Sequence, residues 1–129
     1  MTAKSNDTSK QFNRGDSVVA GIFLEDEIIG VVSIKDIGWT ESEFCIGYWI
    51  AESYQGKGIV TRFVSKLIKL GFDILNLQKA LIYVSVENSK SISIPLRLGF
   101  NKIDVIKDRE LLYGKYMDHI KFMLNKADI

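Results

Sequence analysis

The chain has 129 residues, 47% of them hydrophobic and 26% charged, which fits one soluble globular domain large enough to bury a core. A net charge of +1 gives no field that would draw it to nucleic acid or an acidic membrane, so any phosphate binding has to be local. The single cysteine, Cys45, excludes an internal disulfide, no apolar run approaches the ~20 residues of a membrane span, and the N-terminus has no signal-peptide core. The expectation is a cytoplasmic protein with no nucleic-acid or membrane partner.

Residues 1–14 are polar, with Phe12 as their one aromatic, and are expected to form a flexible segment ahead of a domain over residues 15–129. Ser17–Leu24 and Ile28–Ile34 are apolar, β-branched runs separated by Glu25-Asp26-Glu27, which predicts a hairpin. Gly30 inside the second run marks a bulge or a close backbone approach. Lys35–Ser42, with Gly38 and Trp39, reads as a loop. Glu43–Ala51 is a third strand, with Phe44, Ile46, Tyr48 and Ile50 on one face and Cys45, Gly47 and Trp49 on the other. Both faces are largely apolar, so this strand is expected to be central and covered on both sides.

Val60, Phe63, Val64, Leu67, Ile68, Phe72 and Leu75 then recur at helical spacing, with Asn76 as the stop. Ala80–Val86 is a further strand. Asn88 or Ser89 caps a short helix that Gly99 ends, and Pro95 inside it is expected to strain or kink it. Phe100–Ile106 reads as a strand, Lys107–Gly114 as a polar turn, and Tyr116–Leu124 as the last strand. The order β-β-β-α-β-α-β-β predicts an α+β fold, an α/β sandwich whose mixed, mostly antiparallel sheet carries helices on its faces.

The stretch Tyr54-Gln55-Gly56-Lys57-Gly58-Ile59-Val60-Thr61 lies at a strand-to-helix turn. Glycines there let the main chain approach a ligand, and the first helical turn presents unpaired N–H groups at the positive end of the helix dipole. Such a corner binds anions; a plain tight turn is the competing reading. Spacing separates the nucleotide motifs. A P-loop needs Gly-x4-Gly-Lys-Ser/Thr, but Lys57 is followed by Gly58. The dinucleotide fingerprint needs a glycine where Thr61 stands and an acid about 20 positions on, where Asp73 comes too early and Gln78 is not acidic. Gln/Arg-x-x-Gly-x-Gly/Ala is met at Gln55 and Gly58 and departed from at Val60.

In order around that loop stand Ile46-Gly47-Tyr48-Trp49-Ile50-Ala51, Glu87-Asn88-x-x-Ser91, Leu98-Gly99-Phe100 and Tyr116-Met117-Asp118-His119. With the loop, they make the chain resemble the GNAT N-acetyltransferases, in their RimJ/RimL-like branch of ribosomal-protein N-terminal acetyltransferases, from about Val18 to Leu124. The resemblance implies the GNAT acyltransferase fold, acetyl-coenzyme A as co-substrate and no metal. It also implies direct attack on the thioester by a primary amine in a ternary complex. The implied acceptor is a protein N-terminal α-amine, with a small-molecule amine left open. The family places a strand and two helices before the hairpin that here begins near Ser17, and those helices wall one side of the acceptor groove. Their absence would expose apolar sheet and favour a homo-oligomer. A non-catalytic coenzyme A-binding domain or assembly subunit is the alternative.

The resemblance assigns the pyrophosphate to Gln55, Gly56, Lys57, Gly58, Ile59, Val60 and Thr61. It lays the pantetheine arm along the main chain of Tyr48, Trp49 and Ile50, which requires that strand to splay from the next. Without it, Tyr48 and Trp49 are core aromatics. Asn88 is implied to bond the arm, and its ordinary role is a helix cap; both can hold. Ser91 resembles the serine proposed to reprotonate the leaving thiolate, against the plainer reading of a surface serine. Close relatives carry a glutamate where Cys45 stands. Glu43, two residues earlier on the same face, is the candidate base, against a solvated loop-end carboxylate. Cys45 is expected to be a small buried hydrophobe, and His119, the one histidine, to be structural.

Overall fold

The computed structural model describes the main chain of residues 4–11 and all of residues 17–129. The strands are β1 (Lys4–Gln11), β2 (Ser17–Leu24), β3 (Glu27–Gly38), β4 (Glu43–Ile50), β5 (Lys79–Ser85), β6 (Asn101–Leu112) and β7 (Lys115–Asn125). They form one seven-stranded sheet in the order β1-β2-β3-β4-β5-β7-β6. Only β4 and β5 run parallel; every other neighbouring pair is antiparallel. Helix α1 (Ile59–Lys69), extended by a π turn over Leu70–Ile74, joins β4 to β5, and α2 (Ser89–Arg97) joins β5 to β6. This is the mixed, mostly antiparallel α+β fold that the pattern predicts.

The β2–β3 hairpin turns on Glu25 and Asp26, both left-handed at φ 50° and 68°, a two-residue turn whose twist matches the strands it joins. Gly30 meets both expectations for it. The register shifts between Ile22 and Phe23 beside it, and a Cβ there would come 2.7 Å from the Trp49 carbonyl oxygen.

Three segments depart from expectation. Lys35–Gly38 continues β3 instead of opening a loop, because Lys35 pairs with Cys45 and Gly38 with Glu43 around a bulge. Lys107–Leu112 likewise continues β6 where a turn is expected. Residues 107–109 bulge opposite Asp118, whose carboxylate accepts the Asp108 N–H at 2.9 Å and lies 3.4 Å from the Lys107 ammonium. Those two contacts, the backbone bond foremost, hold the Asp118 carboxyl below its ordinary range. Finally, Lys4–Gln11, expected to be flexible, runs antiparallel to β2 from Lys4↔Phe23 to Gln11↔Ser17. Main-chain pairing along the β2 edge takes in a segment that has no hydrophobic pattern. Residues 1–3 and 12–16, Phe12 among them, lie outside the described residues.

The core forms on one face. Phe44, Ile46, Ala80, Ile82, Val84 and Phe122 point there from the central strands, and α1 packs on them through Val60, Phe63, Val64 and Leu67. Ile92, Ile94 and Leu98 of the α2 segment join the same cluster. Both crossovers step in the same direction along the sheet, so right-handed connections place both helices on the same side. Among the described residues no helix covers the opposite face. Trp49 is 56% exposed there, so β4 is not covered on both sides as expected.

The end of α1 and the start of α2 both answer to the sheet. The π turn brings consecutive residues Gly71 and Phe72 inward; Gly71 lies against the Phe44 ring, and Phe72 meets that ring edge-on at 5.6 Å. Asn76, left-handed at φ 58°, ends the helix as expected. In α2, Pro95 has no N–H to give the Ser91 carbonyl four residues before it. The Tyr48 hydroxyl of β4 donates to that carbonyl instead, at 3.0 Å. Burial pushes the Tyr48 phenol well above its usual range, so it stays a donor.

Two predictions follow from these contacts. Gly71→Ala drives a methyl into the Phe44 ring and should cost about 1–3 kcal/mol in urea unfolding, with Phe44→Leu in the same chain recovering part of the loss. Tyr48→Phe should cost about 1 kcal/mol by stranding the Ser91 carbonyl, and unchanged stability would remove the role given to that bond.

Candidate active site

Strands β4 and β5 pair only at Glu43↔Lys79, Phe44↔Ala80 and Cys45↔Leu81. Beyond those residues β4 remains paired with β3 as far as Ile50, and β5 with β7 as far as Ser85. Each strand is thus held by its outer neighbour while the inner edges separate. The main chain past β4 is anchored away from β5: Ala51 donates its N–H to the Ile29 carbonyl at 2.7 Å, and the Gln55 side chain donates to the Ile50 carbonyl at 3.3 Å. A cavity of about 350 Å³ occupies the divergence.

Its walls contain most of the residues singled out from sequence. Tyr48, Trp49 and Ile50 line it from β4; Gln55, Gly56 and Gly58 from the loop; Ile59, Val60 and Thr61 from the first turn of α1; Asn88 and Ser91 from the start of α2. Gly56 and Gly58 both sit at φ +75°, and a Cβ on either would meet nothing within 4 Å. The open space around this loop is therefore not filled by the protein itself. Gly58 caps α1 without any side-chain bond, and the first main-chain helical bond runs from Arg62 N to Gly58 O at 3.2 Å. The N–H groups of Ile59, Val60 and Thr61 have no acceptor within the helix, an arrangement chemically suited to an anion.

Lys57 stands apart from the lining, with its ammonium 5.7 Å from the centre of the Tyr54 ring. Asn88 is the N-cap of α2, its carboxamide oxygen accepting the Ser91 N–H at 3.1 Å, which leaves its NH2 group without a described partner. Glu43 is not brought to the cavity. It sits opposite Lys79, where β4 and β5 are still hydrogen-bonded, five residues of extended chain from Tyr48 and roughly 16 Å away at ~3.3 Å per residue. Cys45 is buried, and burial together with Asp36 and Glu43 raises its thiol from 9.0 to about 11, which keeps it protonated.

Tyr54, Lys90, Ser93, Ile94 and Arg97 also line the cavity and escaped the sequence reading. The four on α2 follow the 3, 4, 7 spacing of one helix face, a signal that was present. A second cluster, on the helix-free face, carried no such signal. There His119 is buried, its Nδ1 accepting from Arg109 Nη1 at 3.2 Å. A guanidinium only donates, so the ring proton belongs on Nε2, which faces Glu110 Oε1 at 3.3 Å without reaching hydrogen-bond geometry. Glu110 falls in the segment expected to be a turn; only the pairing of β6 with β7 sets it beside His119.

Comparison with known proteins places this geometry. The acetyltransferase (GNAT) domain profile matches residues 2–101. The ribosomal-protein-serine acetyltransferase of Escherichia coli is 36% identical over 105 residues, covering 81% of this chain and 59% of that protein. The spermidine N(1)-acetyltransferase of the same organism is 30% identical over 100 residues, covering 78% of this chain and 54% of that protein. The crystal structure of a probable acetyltransferase superposes at a TM-score of 0.85 and 31% identity, over 88% of this chain and 64% of that one. The chain therefore spans 54% to 64% of the length of these relatives. With the domain profile covering most of its length, this chain belongs to the GNAT acetyltransferase family.

Proposed function

We propose that this chain moves an acetyl group from acetyl-coenzyme A to a primary amine by direct attack in a ternary complex, with a protein N-terminal α-amine as the acceptor. One observation carries the proposal: β4 leaves β5 immediately beside a glycine-opened, uncapped helix N-terminus. The same place thus offers a free strand edge for an extended arm and N–H donors for a pyrophosphate. Gln55, Gly56, Gly58, Ile59, Val60 and Thr61 would cradle the pyrophosphate, with Lys57 adding charge from the rim. The free edge of Tyr48, Trp49 and Ile50 would take the arm, and the Asn88 NH2 group would add a donor.

The bound co-substrate supplies the thioester. As the amine nitrogen bonds to its carbonyl carbon, main-chain N–H groups on the free β4 edge steady the charge that gathers on oxygen. As the carbon–sulfur bond breaks, the Ser91 hydroxyl gives its proton to the leaving sulfur and takes one back from solvent. The proton released by the amine needs a base. Glu110, half exposed on the helix-free face and oriented beside His119, takes this role in place of Glu43. A ribosomal-protein acceptor draws support from the relative at 36% identity, and the spermidine acetyltransferase at 30% keeps small amines in view. The second reading, a coenzyme A-binding subunit without turnover, draws on Cys45 in place of the expected glutamate. Self-association suits the apolar surface left at Trp49, Leu111, Leu112 and Tyr116.

Gly58→Asp tests the corner, since aspartate tolerates a left-handed backbone but sets a negative charge against the pyrophosphate. Calorimetry should show acetyl-coenzyme A affinity falling by about a hundredfold or more, with the thermal transition little moved; undiminished affinity would sink the pyrophosphate assignment. Thiol release with a panel of N-terminal peptides and small amines then separates the two readings: binding with no release from any acceptor favours the subunit. Ser91→Ala and Glu110→Gln should each lower kcat by about 10²-fold or more while leaving acetyl-coenzyme A affinity within about threefold of the parent.

A further inference from the structure

Two cations stand on either side of the opening between β4 and β5, on the helix-free face. Because parallel pairing ends at Cys45↔Leu81, Gly47 and Tyr83 lie level across the gap, two residues further along each strand and directed to the same face. Lys35, paired with Cys45, carries its ammonium over Gly47. A Cβ on Gly47 would come within 3.3 Å of Lys35 Nζ and 2.9 Å of Ser33 Oγ, so the missing Cβ is what gives the ammonium its place. On the far side, the Arg109 guanidinium lies 3.9 Å from the centre of the Tyr83 ring, and buried His119 accepts one of its N–H groups at 3.2 Å. Its other donors remain.

Elsewhere on this face residues of opposite or complementary character stand in register. Lys121 stands opposite Asp104, Lys79 opposite Glu43, and Glu110 meets His119. Among the described ion pairs neither Lys35 nor Arg109 takes part. The geometry points to a carboxylate clamp: Lys35 and Arg109 hold an acidic group of the acceptor across the mouth of the cleft. This rests on the acetyl-transfer reading and names its substrate class, an amine that carries a carboxylate nearby. The same pair repels polyamines. It also favours the uncharged form of an amine brought close to it, which is the form that attacks.

The test uses two C-terminally amidated peptides, Ala-Glu-Ala-Ala and Ala-Lys-Ala-Ala, with spermidine, alanine and alaninamide as further probes. Each is titrated by calorimetry into the full chain in the presence of coenzyme A. The expected result is binding about tenfold tighter for the glutamate peptide than for the lysine peptide, or for alanine than for alaninamide. The first outcome assigns the carboxylate to a side chain and the second to the substrate's own α-carboxylate; both support the clamp. Lys35→Glu should reverse the preference and Lys35→Gln should flatten it, with acetyl-coenzyme A affinity unchanged in both. Lys35 carries the test because Arg109 packs on Tyr83 and His119, so its removal also disturbs structure. Equal affinities, tighter binding of spermidine or the lysine peptide, no binding of any probe, or a preference that survives Lys35→Glu would overturn the clamp. Loss of acetyl-coenzyme A binding with the charge preference intact would remove the transfer reading and leave the clamp standing.

Discussion

The pairing that β4 and β5 do not make beyond Cys45 governs the arrangement of the rest. A parallel pair held along its whole length would leave no edge and no cavity. Here each strand is secured on its outer side, β4 by β3 and β5 by β7, so the inner edges can separate without loosening the sheet. Two further bonds hold the opening. Gln55 ties the glycine loop back to the end of β4, and the Tyr48 hydroxyl reaches across the cleft to the first turn of α2. That second bond exists because Pro95 leaves the Ser91 carbonyl without its helical partner. A proline that looks like a defect in α2 thus supplies the acceptor for a strut across the site.

Edges that separate in this way expose main-chain donors and acceptors, and unpaired groups of that kind are costly when buried. A ligand with an extended, amide-bearing arm satisfies them in the manner of an added strand. The glycine loop stands at the end of the same track. Its left-handed glycines and uncapped helix start suit the charged end of such a ligand, while the strand edge suits the neutral middle. Both features belong to the backbone, and Val60, which stands where the loop motif has a small residue, lines the cavity without filling it.

Much of this was legible before any coordinates. The period-2 run of β4, the 3.6-period run of α1 and the glycines between them located the cavity, and Asn88 was readable as a cap from its place before a short helix. The failures share a cause. Lys35–Gly38 and Lys107–Leu112 are polar, and polarity reads as loop, yet both are held as strand by partners distant in sequence. Glu43 shares a face with Cys45, Gly47 and Trp49, and alternation gives the face without showing which end of the strand stays closed. Glu110 and Arg109 depend on the register of β6 against β7, a long-range fact with no local signature. Trp49 reads as core because it is aromatic, whereas the handedness of both crossovers puts α1 and α2 on the other face.

The bulge at residues 107–109 has a bearing on how copies of this chain can meet. Strand β6 ends the sheet, and its outer edge is the natural place for another chain to extend it. If a second copy paired antiparallel there about a twofold axis through the bulge, the residue on the axis would face itself. Lys107, Asp108 and Arg109 are all charged, so each such register sets like charge against like. The irregular backbone, with Asp108 left-handed at φ 48°, further spoils the match of hydrogen bonds. Pairing of a second copy about an axis through the bulge is thereby disfavoured.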